Sequence, residues 1–150
     1  MISQEIRALA PEQDPLRMGM GWKVEDLSKP QIMIESTFGD SHPGSAGLFE
    51  LVNEAAAGVA EAGGKAARYF TTGICDGMAQ GHDGINYSLA RRDAICNMIE
   101  IHAGATPFDG GIFIASCDKG MPAHLMGIGR VNMPSIMVTG GVMDAYPLKE

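Results

Sequence analysis

Two short runs hold the side chains whose types and spacing could do chemistry. Residues 71–84 set Cys75 beside Asp76, and residues 116–120 set Cys117 beside Asp118 and Lys119. A thiolate is a soft donor for iron, zinc or copper and also a nucleophile, whereas a carboxylate is a hard donor for magnesium or calcium. Each run alone has a bland explanation. A single Cys after a strand is usually an inert small hydrophobe, and Asp-Lys at a turn is usually a solvated pair. The same Cys-Asp dipeptide at two comparable places raises a metal or cluster site above that explanation, with a reactive nucleophile as the other chemical option.

Both runs sit where apolar sequence gives way to polar sequence. Ile112, Phe113, Ile114 and Ala115 form the continuous apolar run that a strand covered on both faces requires. Gly120, Met121 and Pro122 then open a helical pattern over 123–130, with Leu125, Met126 and Ile128 as its apolar positions. Upstream, Ile32, Met33 and Ile34 predict a first core strand over 31–36, and 66–72 predicts a second. A loop rich in Gly, Ser, Asp, His and Pro, 37–47, follows the first strand. Leu48, Leu51, Val52, Ala55, Ala56, Val59 and Ala60 repeat at three and four residues, an amphipathic helix that stops at Gly63-Gly64.

Ser88 is expected to cap a further helix running to about His102, with Leu89, Ile95, Met98, Ile99 and Ile101 on its apolar positions. Cys96 falls within that pattern and is assigned to the core. His102 is assigned a structural place near the helix end, where a cation suits the dipole. Residues 135–139 predict a fourth strand ended by Gly140-Gly141. The order β-α-β-α-β-α-β implies an α/β fold, a parallel β-sheet flanked by helices with right-handed crossovers. Ligands bind such sheets at the carboxyl ends of the strands, and the two Cys-Asp runs are expected on neighbouring strands.

The chain's 150 residues are 45% hydrophobic and 19% charged, enough for one ordinary core. We divide them into an arm over 1–28, irregular apart from a short helix near its start, and a domain over 29–150. A net charge of -7 and no Lys/Arg cluster argue against nucleic acid as a partner. No apolar run approaches 18 residues, and the first residues lack the order of a signal peptide, so a soluble cytoplasmic protein without a membrane partner is expected. Three cysteines, an odd number, suit a reducing compartment better than a disulfide framework.

Residues 75–89, 117–122 and 132–141 resemble the dihydroxy-acid dehydratase and phosphogluconate dehydratase family. The likeness covers roughly residues 29 to 143. It implies the N-terminal domain of a longer homo-oligomeric hydro-lyase whose C-terminal domain is absent here. That enzyme would remove water from a 2,3-dihydroxy acid or sugar acid to leave a 2-keto acid, with an iron-sulfur cluster and magnesium as cofactors. By motif, Cys117 resembles a cluster ligand, Asp76, Asp118 and Lys119 resemble magnesium ligands, and the lysine is carbamylated in some members. A carbamate offers hard oxygen donors where an ammonium offers none.

Many two-iron members carry a cysteine directly after the proline of the 37–47 loop, but here Pro43 is followed by Gly44. Cys75 is expected to take over as cluster ligand, which favours a 4Fe-4S over a 2Fe-2S cluster. The third cluster cysteine, a further acidic magnesium ligand and the catalytic serine are all expected beyond residue 150, so no catalytic base is assigned within it and the fragment alone is expected to be inactive. His82 or His124 is left as an aid to substrate binding or a structural residue. Dihydroxy-acid dehydratase of branched-chain amino acid biosynthesis is the leading expectation. The alternatives are an aldonate or phosphogluconate dehydratase, a non-catalytic cluster-binding module, and a thiol redox protein, against which the lack of Cys-x-x-Cys argues.

Overall fold

The computed structural model describes residues 1–142; the last eight residues of the expected domain lie outside the described residues. The sheet has four parallel strands: β1 (Gln31–Ser36), β2 (Lys65–Phe70), β3 (Gly110–Ala115) and β4 (Ser135–Thr139), in the order β2-β1-β3-β4. Parallel neighbours require a crossover. The long ones are α4 (Leu48–Glu61), α6 (Tyr87–Ala105) and α7 (Gly120–Val131). The shorter helices are α1 (Ile2–Leu9) and α2 (Gln13–Gly19) in the arm, α3 (Pro43–Ala46) after β1 and α5 (Asp76–Ala79) after β2.

Alternation along β3 divides the core into two layers. Ile114 joins Ile34, Leu48 and Val52 beneath α4, while its neighbour Phe113 joins Ile95, Ile99 and Ala123 beneath α6 and α7. Full burial of each large side chain stabilises by about 1.5–3 kcal/mol. Cys96 is fully buried, as its helical position predicts. Helices α6 and α7 approach closely at Gly127, where a Cβ would lie 2.9 Å from Ile99 Cδ1.

Several expectations are corrected. Strand β1 lies between β2 and β3, so the two Cys-Asp runs do not follow neighbouring strands. The central place goes to β1 because its Ile34, Met33 and Glu35 are fully buried, while β2 is exposed at Arg68 and Phe70 and closes one edge. The helix expected from Ser88 starts at Tyr87, so Ser88 is a buried residue of its first turn and Asn86 precedes it. The arm, expected to be mostly irregular, contains two helices held to the sheet by hydrogen bonds. The Ser3 backbone N–H and hydroxyl donate to Asp109 Oδ1 and Oδ2 at 3.0 and 2.6 Å, and the Gln31 N–H donates to Asp109 Oδ2 at 2.8 Å. Arg17 donates to Gln31 and lies 4.8 Å over the Trp22 ring. These contacts gather at the amino ends of β1 and β3, opposite the Cys-Asp runs.

Candidate metal and cluster centre

The sheet order brings three loops side by side at the carboxyl edge: 71–75 after β2, 37–42 after β1, and 116–119 after β3. Cys117 turns the chain from β3 into α7 with φ 70, a left-handed conformation that costs a residue with a Cβ about 1–2 kcal/mol. The turn is fixed by the Met121 N–H donating to Cys117 O at 3.1 Å. Strain of this kind concentrates at functional sites. Cys75 precedes α5 in extended conformation. Both thiols are free and half-buried.

Lys119 ties the outer loops together across the middle one. Its ammonium donates to Asp118 Oδ2 at 2.6 Å and to Asp76 Oδ2 at 2.9 Å. The lysine's hydrogen bonds hold both carboxyls below the usual range, and Asp118 first, then Asp76, hold the ammonium above its ordinary value. The other Asp76 oxygen, Oδ1, is buried with no hydrogen bond, 3.8 Å from the buried Arg91 Nη2. Arg91 also donates to the Ile74 carbonyl. The Ser88 hydroxyl, near enough to Asp76 to favour its ionised form, closes no well-aligned hydrogen bond.

The histidines divide differently from expectation. His82 accepts from the Gly84 N–H at Nδ1 and so donates from Nε2 to the Met78 carbonyl, which commits both nitrogens locally. His124 is fully buried, donates from Nδ1 to Gly120 O at 2.8 Å, and is pushed down to about 4 by burial. His124 is thus a structural residue, whereas His82 is exposed and lines the cavity beside Cys75. His102 is not a helix-end cation: burial lowers its pKa, and it meets the buried Glu35 at 3.2 Å, whose own carboxyl burial pushes up to about 8. The separation is that of an ion pair, but burial drives both groups toward their neutral forms, joined by a hydrogen bond between Glu35 Oε2 and His102 Nδ1. The histidine that does belong to the site is His42, unassigned from sequence. It is 6% exposed and kept neutral first by burial and then by Arg91. Its one signal in the sequence is its place in the loop before Pro43-Gly44.

A cavity of about 370 Å³ opens beside Cys75, lined by Ser41, Ile74, Met78, Ala79 and Tyr87 among others. A larger cavity, about 840 Å³, lies away from this chemistry, between α1 and the last turns of α6 and α7, where Glu100 and Arg130 pair with each other.

The donors suit the expected groups in chemical type. Asp76 and Asp118 are hard oxygen donors already spaced around one cation, and Asp76 Oδ1 has an open lone pair. Cys75 and Cys117 are free thiols on the same edge, apt for iron. Among the described residues no three His, Cys, Asp or Glu side chains are gathered into a ready metal site. The Lys119 ammonium stands between the two carboxylates, so it and a divalent cation exclude each other there.

A parallel α/β layer with thiols and a carboxylate-lysine-carboxylate bridge on its carboxyl edge carries its chemistry where α/β folds place their ligand sites. Residues 29–149 match the family model for the dihydroxy-acid/6-phosphogluconate dehydratase N-terminal region, and the chain belongs to that family. It is similar to dihydroxy-acid dehydratases of Lachnospira eligens (39% identical over 99% of this chain and 27% of the relative) and Methanosarcina barkeri (40% over 89% and 25%). A third, from Pyrococcus furiosus, is 42% identical over 83% of this chain and 22% of the relative. The chain thus spans about a quarter of the length of these curated relatives. No helix among the described residues is long and apolar enough to cross a membrane.

Proposed function

We propose that this chain supplies the cluster- and magnesium-binding edge of a hydro-lyase that converts a 2,3-dihydroxy acid to a 2-keto acid, with the branched-chain dihydroxy acids as substrates. The Lys119 bridge between Asp76 and Asp118, flanked by Cys75 and Cys117, carries this reading. Asp76, Asp118 and a carbamylated Lys119 would hold magnesium, and Cys75 and Cys117 would hold the iron-sulfur cluster, 4Fe-4S by preference. When bound, the two supply Lewis acidity toward the substrate's hydroxyl and carboxylate oxygens.

The chain's own residues prepare that edge. Asp76 and Asp118 stay ionised because Lys119 donates to both, so they are ready as anionic donors without a proton to lose. Arg91 fixes the 74–76 segment from α6 through the Ile74 carbonyl. The depressed pKa of His42 leaves a neutral imidazole beside Asp76. None of these groups is placed as a base toward a substrate carbon, and that group is expected from a longer chain.

The test is anaerobic reconstitution with iron, sulfide and magnesium, followed by 2-keto acid measurement with 2,3-dihydroxyisovalerate and with aldonates. The 150 residues alone should give no turnover. A chimera in which they replace the matching quarter of the Lachnospira eligens enzyme should dehydrate the branched-chain substrate. Turnover by the 150 residues alone, or a folded, iron-loaded chimera that accepts aldonates only, would overturn this reading.

A further inference from the structure

Ser88, Arg91, Ile95 and Ile99 recur at three and four residues along α6 and are all buried. A guanidinium in such a stripe requires partners for its donors. Nη1 donates to the Ile74 carbonyl, but Nε and Nη2, the two donors on one edge of the planar fork, are buried without an acceptor among the described residues. The matching acceptor stands close by. Asp76 Oδ2 accepts from Lys119 at 2.9 Å, while Oδ1, also buried without a donor, is 3.8 Å from Arg91 Nη2, beyond hydrogen-bond reach. The Ser88 hydroxyl, one turn before Arg91 and near Asp76, is open as well. Buried donors and an acceptor left open this close together are unfavourable, and Lys119 accounts for the gap. Tied to Asp118 at 2.6 Å, it holds the Asp76 carboxylate away from Arg91.

We propose that Arg91 is the reserve partner of Asp76: when Lys119 releases Asp76, the carboxylate closes through Oδ1 onto the open Nε and Nη2 edge of Arg91 and stays fixed there. The pairing itself stands on the open atoms; its use in metal binding rests on the reading of Asp76 and Asp118 as magnesium ligands. A divalent cation and the Lys119 ammonium exclude each other between the two carboxylates, so the arrival of the cation removes the hydrogen bond that holds Asp76. A carboxylate anchored from behind through Oδ1 still directs Oδ2 at the place the ammonium has left, which is how an outer partner orients a metal ligand. Arg91 is a positioning residue in this account and acts through Asp76.

The experiment follows the Arg91 Nε–H resonance of the isotope-labelled 150-residue chain by NMR, first without metal; the resonance is identified by its absence in Arg91→Met or, if that variant does not fold, in Arg91→Lys. Lys119→Met should move the resonance downfield and slow its exchange with water at least about tenfold, since a buried hydrogen bond forms. Lys119→Arg, which keeps a cation on the bridge, should leave it near its wild-type position. Urea unfolding supplies a second reading: Arg91→Met should raise the unfolding constant at least about tenfold more in the Lys119→Met background than in the wild type, because Asp76 then loses both partners. Mg2+ with bicarbonate, its binding measured by calorimetry, should move the wild-type resonance as Lys119→Met does. If Lys119→Met leaves both the resonance and its exchange unchanged, Arg91 is no reserve partner and the inference is overturned. If Mg2+ binds and the resonance stays in place, the role toward the metal is overturned. If Mg2+ does not bind at all, the magnesium reading falls, and the Lys119→Met result alone decides the pairing.

Discussion

Replacing Glu35 by Gln should change how stability depends on pH more than it changes stability at any one pH. Glu35 is fully buried in the central strand, with Oε1 unpaired and Oε2 toward His102. Burial raises its carboxyl from the ordinary 4.5 to about 8, with the Thr71 hydroxyl pulling the other way. A carboxyl whose folded pKa is raised contributes stability that is fully present below pH 4.5 and lost as pH rises through 8, because unfolding then releases a proton. The histidines work on the acid side. His42, His102 and His124 are all lowered, so their contribution is lost as pH falls below about 6.5. The histidine contributions are common to wild type and Glu35→Gln, so the change in the gap between the two proteins from pH 6.5 to 8 belongs to Glu35. At 1.36 kcal/mol per pH unit, with Glu35 half ionised at pH 8, that window should shift the gap between wild type and Glu35→Gln by about 1.6 kcal/mol. Urea unfolding of both proteins at pH 6.5 and 8.0 measures the difference. A gap between them that is the same at both pH values, within about 0.5 kcal/mol, would refute the neutral Glu35-His102 pair.

Three other changes have defined outcomes. Cys117→Gly should be more stable than Cys117→Ala by about 1 kcal/mol, since glycine relieves the left-handed strain that alanine keeps; thermal melts compare the two directly, and equal midpoints would remove strain from the account. Gly127→Ala should destabilise by about 1–3 kcal/mol through collision with Ile99, less up to ~1 kcal/mol of helix propensity, and an unchanged urea midpoint would show that α6 and α7 can part without cost. Asp118→Asn should keep the thiolate-to-cobalt bands of the chain while weakening Mg2+ binding measured by calorimetry, because magnesium requires anionic oxygen. Loss of the thiolate bands in that variant would count against separate sites.

The local elements are legible because each is specified by neighbours in sequence. The three- and four-residue repeat of Leu48 to Ala60 is α4, the apolar run of 112–115 is β3, and Cys96 is buried where its helical position puts it. The arm differs from expectation since Pro11 separates two helices too short to show a period, and their anchors lie elsewhere in the chain: Asp109, about 100 residues away, for α1, and Gln31 for α2. His102 differs for the same reason: its partner Glu35 is brought by the sheet, and burial decides its charge.

The sequence by itself determined which side chains could do chemistry and that they lie just past strands, since residue type and apolar periodicity are local properties. It could not say which strand lies in the middle, because parallel pairing is chosen by burial across the whole sheet. That choice put β1 between β2 and β3. It left Lys119 bonded to Asp76, 43 positions away, as well as to its neighbour Asp118, and it set the imidazole of His42 between two thiol-bearing loops. Only the tertiary structure decides such meetings, because backbone crossovers and not sequence spacing fix the distance between strand ends.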